Sequence, residues 1–238
     1  IAATIVDLRS DPSLRGVILS GQGKSFCAGL DVGDLIKNPL TFTNKMMKER
    51  PSQYSADDSD RNLVQEVGMM WRDLPIPVIA AIHGVCLGGG LQIALGADFR
   101  FATPDAKLSL MEAKWGIIPD MGASITLREL VPMDVAKELT MTGRIITGEE
   151  AARLGIVTRC VDDPLHEARS LAMEIASRSP DSVAKAKELF QTTNVLPEKD
   201  CLEMETKFQL QLFPSFNQMI ASARSKGINI SYFKRSEK

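Results

Sequence analysis

An α/β fold with a helical C-terminal region is predicted for this 238-residue chain by three observations. Short β-rich runs alternate with segments of helical apolar spacing over the first three quarters of the sequence. The strand runs are nearly continuous in apolar residues, as strands covered on both faces require. After Ser179 the strand pattern stops and only amphipathic helices follow. The boundaries drawn are a core domain over 1–178 and a helical region over 179–238.

"IAATIVDLRSD" opens the chain as the middle of a helix, with no Met and no signal peptide. The expectation is a trimmed N-terminus with any targeting segment out of view. "RGVILSG" (15–21) is a strand ending at glycine. "RNLVQEVGMMWRDL" (61–74) has apolar residues at 63, 64, 67, 70, 71 and 74, which is helical spacing. The polar stretch 41–60 between them is expected to be a mobile loop. "IPVIAAIHG" (76–84) is a fully apolar strand, and "LQIALGA" a short buried helix. "FRFATPDAKLSL" (99–110) gives two strands around a Pro-Asp turn. In "TGEEAARLGIVTRCV" Thr147 caps a helix, Gly155 ends it, and a strand follows. Residues 163–178 are helical. "DSVAKAKELFQ" and "CLEMETKFQLQLF" are helices of the C-terminal region; the second carries Cys201, Met204, Phe208 and Leu212 on one face, and the region is expected to pack against neighbouring subunits as well as on itself.

Composition removes several classes of function. Net charge is −2 and aromatics are 5% of residues, with no basic arm, so no nucleic-acid partner is expected. The four cysteines are scattered and two histidines suffice for no metal centre, so free thiols and no metal are expected. His83 reads as a hydrogen-bonded core residue. Residues 76–97 are apolar enough to raise a membrane question, but Pro77, His83, the glycines and Gln92 interrupt them, and no membrane span is expected. "SGQGKSF" lacks the earlier glycine of a P-loop, since Ile18 stands there, and "GVCLGGG" lacks dinucleotide-binding spacing.

Three segments carry chemistry. "FCAGLD" and "CLGGGLQ" are glycine turns, each after an apolar strand, and two backbone N–H groups converging from them would hold a developing oxyanion. Taken separately, each reads as a plain tight connection. "LSLMEAKWGIIPDMGA" sets Glu112 among apolar residues, where burial raises a carboxyl toward proton transfer near neutral pH. The competing readings pair Glu112 with Lys114 or solvent, and make Asp120 the cap of the next helix.

Taken together and in order, "GVILSGQGKSFCAGLDVGDL", "PVIAAIHGVCLGGGLQIALGADFRFA", "AKLSLMEAKWGIIPDMGASITL" and "LTMTGRIITGEEAARLGIVTRCV" resemble the crotonase family, the enoyl-CoA hydratases and isomerases. The resemblance implies a spiral of β-β-α repeats whose first strands precede Ile1, a helical tail, and assembly as trimers or pairs of trimers. It implies an acyl-CoA thioester substrate, with coenzyme A entering as part of it and no separate cofactor, in the cytoplasm or an organellar matrix. Leu30 and Gly89 N–H would hold the thioester oxygen, Ala28 would lie near the adenine, and Gln92 and Trp115 would border the substrate pocket. Glu112 matches one of two family glutamates, whereas Gln92 stands where hydratases carry the other. Enoyl-CoA isomerase is therefore the favoured activity. A hydratase with an altered second acid, a dienoyl-CoA isomerase (Asp120 being similar to an aspartate of that group), a hydrolase or decarboxylase, and an acyl-CoA-binding scaffold are the alternatives.

Overall fold

The computed structural model of the protein describes residues 1–30, 40, 42–55 and 59–236. Its main sheet has four parallel strands in the order β1 (Val17–Ser20), β2 (Val78–Ile82), β4 (Phe99–Ala102) and β7 (Arg159–Cys160). A second sheet holds β3 (Val85–Leu87), β5 (Lys107–Ser109) and β6 (Ile146–Thr147), with β3 parallel to β5 and β5 antiparallel to β6. All five residues of β2 are buried. Successive side chains of a strand point to opposite faces, and both faces of β2 are covered. Val78, Ala80 and Ile82 join a core with Ile5, Met70 and Leu95. Ile79 and Ala81 meet Phe101 and Ala168, the last on the helix Pro164–Ala176. The unbroken apolar run of the sequence thus becomes a two-sided strand.

The helices follow the capping chemistry of the sequence. Helix α1 spans Ala2–Ser10 and α2 spans Leu63–Asp73. Asn62 opens α2 by accepting from Gln65 N–H at 2.9 Å, while the Gln65 side chain accepts from Asn62 N–H at 3.2 Å. Helix α3 (Gly89–Leu95) follows the triple-glycine turn, and α4 (Ala123–Leu130) and α5 (Met133–Thr142) come next. Thr147 caps α6 (Gly148–Leu154) by accepting from Glu150 N–H at 3.1 Å, and Gly155 ends it in the left-handed conformation. Helix α7 is Pro164–Ala176, and α8 (Pro180–Thr193), α9 (Glu198–Leu212) and α10 (Phe216–Ser225) complete the chain. On α9 the face read from the sequence is the inward one: Cys201, Met204 and Leu212 are half-buried and Phe208 is buried.

Some expectations are corrected. Strand β3 occupies what reads as a plain turn, because three residues between glycines are too few to display a period. Residues 42–48 of the presumed loop form a π-helical stretch, while residues 41 and 56–58 of that segment lie outside the described residues. Ser52 is buried. Helix α10 went unread, although Ser215 caps it by accepting from Gln218 N–H. His83 is half-buried rather than in the core, its Nε2 3.1 Å from Gly23 O. Among the described residues all four cysteines are free thiols, and no helix is long and apolar enough to cross a membrane.

The layers meet at backbone contact where glycines remove side chains. A methyl group on Gly68 of α2 would lie 2.1 Å from Met121 O, and one on Gly96, at the end of α3, 2.0 Å from Gly68 O. Neither oxygen can retreat without moving its chain. Gly68→Ala is therefore expected to lower unfolding free energy by about 3 kcal/mol, the upper end for an overpacked core, as read by urea denaturation.

Candidate functional site

The two glycine turns lie side by side because their strands are paired. Cys27 N–H donates to Val85 O and Leu87 N–H donates to Cys27 O, both at 3.0 Å, setting Cys27 opposite Cys86 in parallel register. Two residues later each chain turns. Gly29 has φ +91° and Gly88 φ +53°, conformations that side chains with a Cβ rarely adopt. A Cβ on Gly29 would stand 3.6 Å from Gly89 N, so the turns touch next to the start of α3. Gly88 N–H is used, donating to Ser109 O at 2.8 Å. Among the described residues, Gly89 N–H and Leu30 N–H meet no acceptor. Leu30 and Ala28 are exposed, and the rest of the first segment, Asp31 to Leu35, lies outside the described residues.

Glu112 faces this turn from a 3-10 helix, Met111–Trp115. Its Oε1 lies 3.7 Å from the Cβ position of Gly88. The side chain is buried, and Gln92 Nε2, from α3, donates to Oε1 at 2.7 Å. Glu112 Oε2 is buried with no hydrogen-bond partner. Gln92 is itself 2% exposed, and its Oε1 accepts from Met121 N–H at 2.9 Å. Glu112 thus pairs with neither Lys114 nor solvent. Asp120 does not cap the next helix either, since the residue capping α4 is Gly122, with no side-chain hydrogen bond. Asp120 is half-buried beside the peptide that holds Gln92.

Electrostatics separate these acids from surface carboxylates. Burial pushes the Glu112 carboxyl above its ordinary range; its own backbone N–H and the Gln92 amide oppose that, and Asp120 adds to the rise. Asp120 is also raised, by burial first, with its own backbone N–H opposing. A buried carboxyl with one unpartnered oxygen therefore stands beside the Gly88 turn. Trp115 is 57% exposed and stands with Ile117 and Ile118 as an apolar rim on the same segment. Among the described residues no cluster of His, Cys, Asp or Glu is placed to hold a metal. A separate 660 Å³ cavity lies at the other end of α3, lined by Gly96, Arg100 and Phe190 among others, and none of the predicted site residues borders it.

Sequence reasoning named each of these residues but not their contacts. The Gln92–Met121 bond joins residues 29 positions apart, and no local pattern announces it. The raised affinity of Glu112 for its proton also has a consequence for stability. The folded protein holds that proton more tightly than the unfolded chain, whose glutamate keeps the ordinary value of 4.5. Native stability should then fall, relative to Glu112→Gln, as pH rises from 4.5 through the folded value. Thermal unfolding of the two proteins across that range checks it; parallel curves would mean that Glu112 carries no such shift.

The family model for enoyl-CoA hydratase/isomerase matches residues 1–230. The carnitinyl-CoA dehydratase of Salmonella typhi is 34% identical over 214 residues, spanning 88% of this chain and 76% of that protein. The same-named protein of Shigella flexneri matches to the same extent. An enoyl-CoA hydratase structure from Bacillus anthracis superposes with TM-score 0.81 at 30% identity, covering 97% of this chain and 85% of that one. One from Polaromonas sp. JS666 gives 0.80 at 26%, covering 98% and 87%. Fold, ordered motifs and family match agree: the chain belongs to the enoyl-CoA hydratase/isomerase family and is an acyl-CoA-processing enzyme of the crotonase fold.

Proposed function

We propose that the protein is an enoyl-CoA isomerase that shifts a double bond through an enolate. The observation that carries this reading is the single unpartnered oxygen of Glu112. In a 3-enoyl thioester the Glu112 carboxylate takes a proton from C2. The electron pair left behind spreads to the thioester oxygen, where Leu30 and Gly89 N–H meet the negative charge. Return of the proton at C4 moves the double bond to C2–C3 and restores the carbonyl. Asp120 serves as a second acid or as an orienter. Ala28 borders the adenine of CoA and Trp115 the acyl chain. CoA arrives within the substrate, and the reaction calls on no other cofactor.

Gln92 supports a shift over a hydration. Both of its polar atoms are engaged by protein groups, and an amide cannot accept a proton from an attacking water. The second reading is hydration or its reverse, favoured by the relatives named as carnitinyl-CoA dehydratases. Turnover on a panel of 2-enoyl, 3-enoyl and dienoyl thioesters separates the two. On the preferred substrate, Glu112→Gln should lower kcat by roughly 10²–10⁴-fold, the worth of a positioned acid–base group. Exchange of acyl-CoA α-protons in D₂O, absent from the variant and present in the native enzyme, excludes a scaffold that only binds. Native protein without exchange or turnover would overturn the proposal.

Assembly belongs to the same reading. Phe190, Leu210 and Phe216 of the C-terminal helices are each more than 70% exposed, an apolar load that suits subunit contacts. Light scattering is expected to give a mass of three or six chains. A fully active monomer at micromolar concentration would refute that.

A further inference from the structure

We infer that Gln92 is a positioning residue: its amide is a two-armed bracket that aims Glu112, committing one carboxylate oxygen and leaving the other to carry the proton. This deepens the isomerase reading and rests on it only for Glu112 as the proton carrier.

The orientation of the amide is forced. Met121 N–H can only donate, so the group 2.9 Å from it must be the Gln92 oxygen. The amide NH₂ must then face Glu112, where it donates to Oε1 at 2.7 Å. Gln92 is 2% exposed, so water does not compete for either arm. The first arm grips the peptide between Asp120 and Met121, and the second grips Glu112. One side chain on α3 thereby fixes the chain carrying Asp120 and the carboxyl of Glu112 relative to Gly89, three residues earlier on the same helix. The lone pairs of Glu112 Oε2 remain unspoken for.

The bracket also acts on charge. A neutral donor beside Oε1 favours the ionised carboxylate and opposes the upward pull of burial and of Asp120. A glutamate in place of Gln92 would keep an acceptor for Met121 N–H. It would also put a second carboxylate oxygen about 2.7 Å from Glu112 Oε1. Two such oxygens cannot both be ionised and bare, so the pair would share a proton.

The test is Gln92→Glu, followed by ¹³C-glutamate NMR of the unliganded protein across pH. The carboxyl titration of the resulting pair should move up by roughly one pH unit or more relative to native Glu112. The acid limb of kcat/KM should move with it. At neutral pH kcat should drop by about tenfold or more while KM changes little, and activity should recover above the displaced limb. A merely structural role would leave the limb in place. An unchanged titration in folded Gln92→Glu overturns the bracket. Should that variant fold poorly, the native protein supplies the reading. The Gln92 side-chain NH₂ resonance should shift with pH in step with the Glu112 carboxyl, and a flat amide resonance overturns the proposal. Both NMR readouts need no turnover, so failure of the isomerase reading and failure of the bracket are told apart.

Discussion

The parallel pairing of Cys27 with Val85 and Leu87 is the constraint from which the site follows. Hydrogen bonds of 3.0 Å on either side of one residue fix the register of two chains nearly sixty positions apart. Both chains then turn through a glycine at positive φ. The shared register brings the two turns into contact, with the Cβ position of Gly29 3.6 Å from Gly89 N. Gly88 N–H is taken by Ser109 O, while Gly89 N–H, the first of its helix, meets no acceptor among the described residues. Unsatisfied amides at a helix start favour negative charge. The sheet supplies the alignment and glycine supplies the clearance, and the proposed oxyanion contact rests on main-chain amides alone.

Beside the Gly88 turn the protein keeps the Glu112 carboxyl in tension. Burial favours its neutral form and the Gln92 amide its charged form. Stability alone would put an apolar residue at Glu112, since an orphaned buried oxygen costs about 1–3 kcal/mol. A buried acid with an orphaned oxygen is the kind of local inconsistency expected at functional sites, and it supports the role proposed for Glu112.

Much of this was legible in the sequence, and the limit is one of range. Thr147 and Gly155 declare the ends of a helix within eight residues, and the α9 face declares itself by spacing, so local rules suffice for both. Strand β3 escaped because its three residues are shaped by pairing with β5 rather than by their own pattern. The same holds at the site. That Glu112 is an acid among apolar neighbours is visible in its segment; that its partner is Gln92, and that Gln92 is held by Met121, depends on folding three separate segments together.

The glycine contacts beneath the site divide it into two kinds of territory. Gly68 touches Met121 O and Gly96 touches Gly68 O, while Gly90 lies against Cys27. These link α2, both ends of α3, the Cys27 strand and the segment after Asp120 through main-chain atoms. Main-chain atoms are the same in every sequence, so at Gly68 and Gly96 the obstructing oxygen cannot be trimmed away to admit a larger residue. Leu30, Trp115, Ile117 and Ile118, by contrast, are exposed side chains. Substitution is therefore open at those exposed side chains and closed at the glycine contacts, where an added atom must move a chain.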